Sequence, residues 1–199
     1  MATTSTKDNL LIQAELLFAD KGFYGTSIND VAKTLGLTKQ GLLHHFPTKE
    51  KLYGAVLESA ADYLYQHFET ILSKASAPKD KMLALCETVD IKDERLILVV
   101  RLFVRELLDN PIRAEKAKKW VLKKHLDLVE GIIIKGQEQG DFVDLHPLSF
   151  LYHILGAQHY FLVSLPTLQQ MYSVKEFKAH MKNHVTETKR IVASTLFAE

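Results

Sequence analysis

Nine histidines and one cysteine are the side chains of this 199-residue chain with the widest chemical reach. His180 and His184 stand four residues apart, a spacing that on a helix could bring both imidazoles to one metal ion. Pairs at that spacing are also ordinary on helix surfaces. The sequence carries no His-Glu-x-x-His, Gly-x-Ser-x-Gly, phosphate-binding loop or dinucleotide fingerprint. No metal, no cofactor and no catalytic residue is therefore expected, and the chain reads as a non-enzyme. Cys86 has no second cysteine to resolve a sulfenic acid, so it reads as a small buried hydrophobe in a reducing compartment.

A different set of groups clusters near the N-terminus. Thr38, Lys39 and Gln40 place a hydroxyl, an ammonium and an amide side by side. A glutamine can bond adenine through two hydrogen bonds, and a lysine can reach guanine or phosphate. Presenting them requires a rigid short helix. Ser27 with Asp30 three residues on resembles a capping box that opens one helix to about Leu35. Gly36 supplies a turn, and Thr38 caps a further short helix that Pro47 ends after about Phe46. Ala32 falls four residues before Gly36, where crossing helices need a small side chain. Val31, Leu35, Leu37 and Leu42 fall where a helix-turn-helix buries its contacts. Spacing alone is equally compatible with two amphipathic helices joined by a glycine.

Around that core, helical periodicity dominates. Leu10, Leu11, Ala14, Leu17 and Phe18 form one face of a first helix, with Gly22 as its stop. Thr48 opens a long fourth helix to about Ser73, with Leu52, Val56, Ala60, Tyr63 and Leu64 on one side. Further helices are predicted over about 79–90, from about Asp93 to Leu108, and from an Asp109-Asn110-Pro111 cap to about Gln139. An eighth runs from His146-Pro147 to about Leu165, ended by Pro166, and a ninth over about 174–197. The fold reads as all-α with about nine helices: a three-helix N-terminal module over 1–52, the fourth helix (48–73) as its link, and a helical body over 53–199.

The run from Thr26 to Leu52, with the preceding Phe18-Ala19-Asp20-Lys21-Gly22-Phe23, closely resembles the signature of the TetR family of repressors. Arg105-Glu106-Leu107 and Gly140-Asp141-Phe142 also resemble family features in the body. The resemblance implies operator DNA as partner. It places Thr38, Lys39, Gln40 and Gly41 at base edges, Thr26 and Ser27 at phosphates, and Lys49 on a phosphate. Leu43 departs from the family's usual tyrosine, which removes one phosphate bond and leaves His44 as the polar residue beside it. His45 is expected to pack.

Composition constrains the partner less. Net charge is +1, and residues 1–52 carry six lysines against five acids. No arginine precedes Arg95, so an arginine–guanine contact is closed to this module. No apolar run reaches the ~18 residues of a membrane span, and Met1-Ala2-Thr3-Thr4-Ser5 lacks a signal-peptide core, so a cytoplasmic protein without membrane contact is expected.

The eighth helix is apolar nearly all round, with Leu148, Leu151, Leu155 and Leu162 on one face and Phe150, Ile154, Ala157, Phe161 and Leu165 on another. The ninth repeats the theme with Phe177, Met181, Val185, Thr188, Val192 and Leu196. These faces suit either the protein's own core or a twofold partner, and the resemblance implies a homodimer through both helices. It also implies a small-molecule effector, hydrophobic or aromatic, in a cavity of the body. Arg101, Arg105, Trp120, His125, His153, His159 and Tyr160 are the candidates to line it, although Arg101 or Arg105 could instead pair structurally with Glu106. Control by a protein partner, or a helical metal protein carrying a helix-turn-helix, are the competing readings.

Overall fold

The computed structural model describes residues 6–87, 93–109 and 120–198. Among the described residues the helices run α1 (Thr6–Gly25), α2 (Ile28–Thr34), α3 (Lys39–His45), α4 (Lys49–Leu72), α5 (Pro78–Leu85), α6 (Glu94–Asp109), α7 (Lys123–Glu138), α8 (Pro147–Met171) and α9 (Val174–Leu196). The all-α architecture matches the helical periodicity. Two compact units emerge, Met1–Leu64 with Ile97–Val121, and Tyr65–Leu96 with Leu122–Glu199. The first is larger than the 1–52 module, because most of α4 and α6 joins it.

In the first unit α1 buries Leu10, Ala14 and Phe18, one residue per turn on one face. Gly22 does not stop this helix. It kinks it, with φ 71° and ψ 176°, and helical backbone resumes to Gly25. A Cβ at Gly22 would stand 2.7 Å from the Asp109 carboxylate and 3.2 Å from Arg105 Cδ. Positive φ and close approach both exclude a side chain there. Helix α6 covers this corner with Val99, Val100, Leu102 and Phe103 buried. The buried Glu106 carboxylate accepts a 2.6 Å bond from the Tyr53 hydroxyl. Arg105 donates to the Asp20 carbonyl at 2.6 Å, and Arg101 lies 3.9 Å from the Asp20 carboxylate. The Arg–Glu pairing open from sequence is thus replaced by a Tyr–Glu pair, with both arginines turned to the end of α1.

The second unit centres on Leu72, Met82, Leu85, Cys86, Val129, Ile132, Ile133, Phe142, Phe150, Leu151, Val192 and Leu196. A Cβ on Gly136 would stand 2.1 Å from Phe142 Cδ2, so this helix–loop contact requires glycine. Phe142 stacks on Phe197 at 5.6 Å, and Val143 N–H donates to the Leu196 carbonyl, which pins the end of α9. Helix α5 stops at Leu85, with 88–92 outside the described residues. The Asp109-Asn110-Pro111 cap also extends outside them, and α7 is described from Lys123.

Pro166 does not end α8, which continues to Met171. Proline removes one N–H and crowds the preceding turn, a local cost that a helix fixed by packing can carry. Leu162 and Leu165 are both buried beside it. Helix α9 opens on a capping box in which Ser173 and Glu176 bond each other's backbone N–H groups.

Two imidazoles give the second unit a pH dependence. His184 stacks face to face on Phe161 at 3.8 Å, and burial holds its pKa below the ordinary imidazole value of about 6.5. Burial acts the same way on His159. Both are favoured neutral when folded, so the unfolded chain binds more protons below its own pKa. Stability is therefore full above about pH 6.5 and falls as pH drops toward the folded pKa values. The midpoint of thermal unfolding should decline on going from about pH 7.5 to 5.5, and His184→Phe should flatten that decline. Gly22→Ala should lower stability by about 1–3 kcal/mol in urea unfolding, from positive φ and the crowding at Asp109.

Candidate nucleic-acid interface

The turn between α2 and α3 is built by short backbone bonds. Gly36 sits at φ 66°, its N–H donates to the Lys33 carbonyl, and Leu37 N–H donates to the Ala32 carbonyl at 2.9 Å. Val31, Ala32, Leu42 and Phe46 are buried, so the two helices are held by their inner faces. Thr38 caps α3, its hydroxyl accepting from Gly41 N–H at 3.1 Å. Thr38, Lys39 and Gln40 are exposed on its opening turn, and Gly41 is half-buried beside them. A Cβ at Gly41 would come within 3.3 Å of the cap hydroxyl. This arrangement leaves an ammonium and an amide projecting from a rigid two-turn helix.

The flanks differ from one another. His44 and His45 are both exposed, with rings stacked 5.8 Å apart, so His45 does not pack into the core as expected. Leu43 is half-buried. Lys49 holds its ammonium 4.1 Å above the Phe23 ring, a cation–π contact that fixes the charge at the start of α4. Phe23 in turn packs on Tyr53.

Thr26 departs from expectation. It is 1% exposed, and its hydroxyl donates to the Gly22 carbonyl at 2.9 Å and lies 3.2 Å from that of Leu17. Its side chain closes the kinked end of α1 and does not face a phosphate. Ser27 is exposed, but its hydroxyl both accepts from Asp30 N–H and donates to the Asp30 carboxylate at 2.7 Å. These bonds, with Ser27 N–H and the lysines 21 and 33, hold the Asp30 carboxyl below the usual range. An anion already occupies the head of α2. Tyr24, 68% exposed two residues earlier, was not singled out by the sequence pattern, because nothing in its spacing distinguishes it from a packed aromatic.

The seven candidate ligand residues are divided between the two units. Arg101 and Arg105 belong to the first unit, as does the half-buried Trp120. His125 is buried against the edges of Tyr65 and Phe68, a core position. His153 bonds the Ser149 carbonyl on an exposed face of α8, His159 is half-buried, and Tyr160 is 77% exposed. An apolar cavity of the second unit has other walls: Phe68 of α4, Met82 and Leu85 of α5 with Cys86 at its end, Val129 of α7, and Phe150, Leu151, Ile154, Leu155 and Gln158 of α8. It leaves only about 30 Å³ for the centres of water-sized molecules, far below the ~300 Å³ of a preformed ligand pocket. As described, this cavity is too small to be a roomy preformed pocket.

The expected dimer stripe on α9 also turns inward. Phe177, Met181, Thr188, Val192 and Leu196 are buried within the single chain, and Val185 is half-buried. Their four-and-seven spacing is that of one face, and the protomer's own core takes it. His180 lies against Tyr172 and His184 against Phe161, and no three metal-ligating side chains gather among the described residues. No described helix is long and apolar enough to cross a membrane.

Comparison with known proteins agrees with this geometry. The family model for bacterial regulatory proteins of the tetR family matches residues 10–56, α1 through the start of α4. The HTH-type transcriptional repressor KstR2 of Mycolicibacterium smegmatis is 36% identical over 81 residues, 41% of this chain and 40% of that protein. The chain thus aligns with about two fifths of this curated relative's length. A TetR transcriptional regulator from Chloroflexus aurantiacus shares the fold over 98% of this chain and 97% of its own, with TM-score 0.74 at 18% identity. A transcriptional regulator from Saccharomonospora viridis, solved in complex with choline, does so over 99% and 100%, with TM-score 0.73 at 16% identity. The N-terminal module, residues 10–56, thus matches the tetR family of bacterial regulatory proteins in sequence, and the chain as a whole shares the fold of TetR regulators.

Proposed function

We propose that this protein is a DNA-binding transcriptional repressor that leaves a palindromic operator when a small molecule binds its body. One observation carries the DNA reading: Thr38, Lys39 and Gln40 project from the opening turn of α3 while Leu42 and Phe46 lock its other face into the module. A helix so held can enter the major groove with its first turn against base edges. Gln40 reads a base pair, Lys39 reaches guanine or phosphate, and Lys49 binds backbone from its seat on Phe23. His44 and Tyr24 flank this face with groups able to reach phosphate. The regulator acts in the cytoplasm, where bacterial DNA lies.

Twofold pairing would use faces of α8 and α9 that the protomer leaves open. Tyr152, Gly156 and Tyr160 stand on successive turns of α8, with His153 and Ala157 beside them, all exposed. Small residues between two tyrosines allow a second helix to approach closely. Ile191, 48% exposed on α9, adds apolar area. An isologous contact through these helices would set the spacing of two modules on a palindrome.

Effector control is supported by the apolar cavity, whose walls come from α4, α5, α7 and α8. A ligand favouring one of two arrangements of these helices would shift operator affinity by its differential binding.

Two measurements test this reading. Selection of bound DNA from a genomic pool should return a palindrome. On that site Gln40→Ala should weaken binding by about 1–3 kcal/mol and relax one base pair per half-site. Lys49→Ala should weaken all sequences alike and reduce the salt slope by about one per half-site. Unchanged affinity and salt dependence in both variants would sink the assignment. Separately, Ala157→Glu should shift the sedimenting species from dimer to monomer and lower operator affinity, whereas a wild-type monomer at micromolar concentration would end the dimer reading.

A further inference from the structure

The cavity walls carry a chemical preference. Of the ten side chains around it, eight are hydrocarbon or thioether, and none is charged. Cys86 is buried, and its thiol bonds the Met82 carbonyl at 3.2 Å. Burial pushes the Cys86 pKa up to about 11, so the sulfur stays a neutral thiol and offers no counter-charge. An ion entering this space would lose its hydration without a partner, which excludes carboxylates and ammonium groups more strongly than it excludes neutral molecules.

Gln158 is the exception among the walls. It is 6% exposed, and its side-chain amide has no hydrogen-bond partner among the described residues. An amide brings both a carbonyl acceptor and an N–H donor. No other lining residue carries an amide, and one at the cavity wall keeps bonding capacity for a ligand. A hydroxyl or carbonyl on a ligand would complete it.

The available room is small, but part of the wall is not fully packed. Phe68, Ile154 and Leu155 are only half-buried, whereas Met82, Leu85, Cys86, Val129, Phe150 and Leu151 are buried. A ligand larger than water would have to displace side chains, and these three are the least enclosed of the wall.

We propose that this cavity is the effector site and that it selects uncharged molecules with a compact apolar body and one hydrogen-bonding group, held by the Gln158 amide. The assignment rests on the effector reading above and adds the ligand class to it. Cationic ligands such as the choline bound by the Saccharomonospora viridis regulator fall outside that class.

Four probes of matched size test it on the full chain: benzyl alcohol, toluene, benzoate and benzylammonium. Binding is read by thermal unfolding and by the methyl resonance of Met82, neither of which needs DNA. Benzyl alcohol should raise the midpoint and shift that resonance, and toluene should bind through the apolar walls alone. Benzoate and benzylammonium should do neither at the same concentration. Gln158→Leu should move the benzyl alcohol to toluene affinity ratio roughly tenfold toward toluene. Ile154→Phe, which fills the space, should abolish binding of both. The proposal fails if no probe binds at millimolar concentration, if a charged probe binds best, or if the ratio is unchanged in Gln158→Leu. Should Gln158→Leu not fold, the charge series on the wild type still decides. Operator binding is measured separately without probe. Its absence overturns the regulator reading alone, whereas probe binding without operator release overturns the effector role.

Discussion

Tyr53 lies 1% exposed between three helices, with Phe18 edge-on at 4.7 Å and Phe23 tilted against its ring at 5.0 Å. Its hydroxyl donates to the equally buried Glu106 carboxylate at 2.6 Å. A hydrogen bond between two groups buried this deeply is costly to lose, because each would be left one bond short away from water. The contact is demanding in geometry. It requires α4, α1 and α6 to meet in one arrangement, with Arg105 and Gly22 completing the corner at the end of α1. The seating of Lys49 over Phe23 and of Thr26 under the kink depends on that corner. The groups proposed to meet DNA are therefore positioned by an interior contact that touches no DNA.

Much of this was legible in the sequence because it is local. The capping box at Ser27, the turn at Gly36, the Thr38 cap and the exposed Lys39–Gln40 pair follow from residues within four positions of one another. Side-chain fate was less legible. Thr26 and Ser27 are adjacent hydroxyls, equally suited to phosphate on paper. The kink at Gly22 decides between them, by bringing a free carbonyl under Thr26 and leaving Ser27 to its own cap.

The body shows the same division between local and long-range information. The spacing of Phe177, Met181, Thr188, Val192 and Leu196 marks a single apolar stripe, but a stripe does not say which surface it meets. Here Val192 and Leu196 join Ile133, Phe142 and Phe150 in one core, so the stripe is internal. Pro166 likewise reads as a terminator in isolation, and burial of Leu162 and Leu165 carries α8 past it. The cavity was illegible for a stronger reason: its walls are drawn from four helices at separations of up to about ninety residues. The aromatic and basic residues that stand out in the sequence are conspicuous because they interrupt apolar runs. That same property places several of them on the surface, away from any cavity.

The brevity of α3 sets a limit on information. A seven-residue helix that offers three exposed side chains on its first turn can discriminate only three or four base pairs. Each fully specified pair narrows the choice fourfold, and a genome presents on the order of 10⁶ or more competing sites, so a unique address needs about ten specified pairs. One copy of this module falls well short, and two copies on a palindrome approach the requirement without reaching it. On the proposed operator, the missing discrimination would have to come from the deformability of base pairs that no side chain touches. With lysine as the only strong cation before Arg95, backbone attraction contributes occupancy but no address. A dimer reading DNA in this way would tolerate variation in the half-sites and be strict about the distance between them.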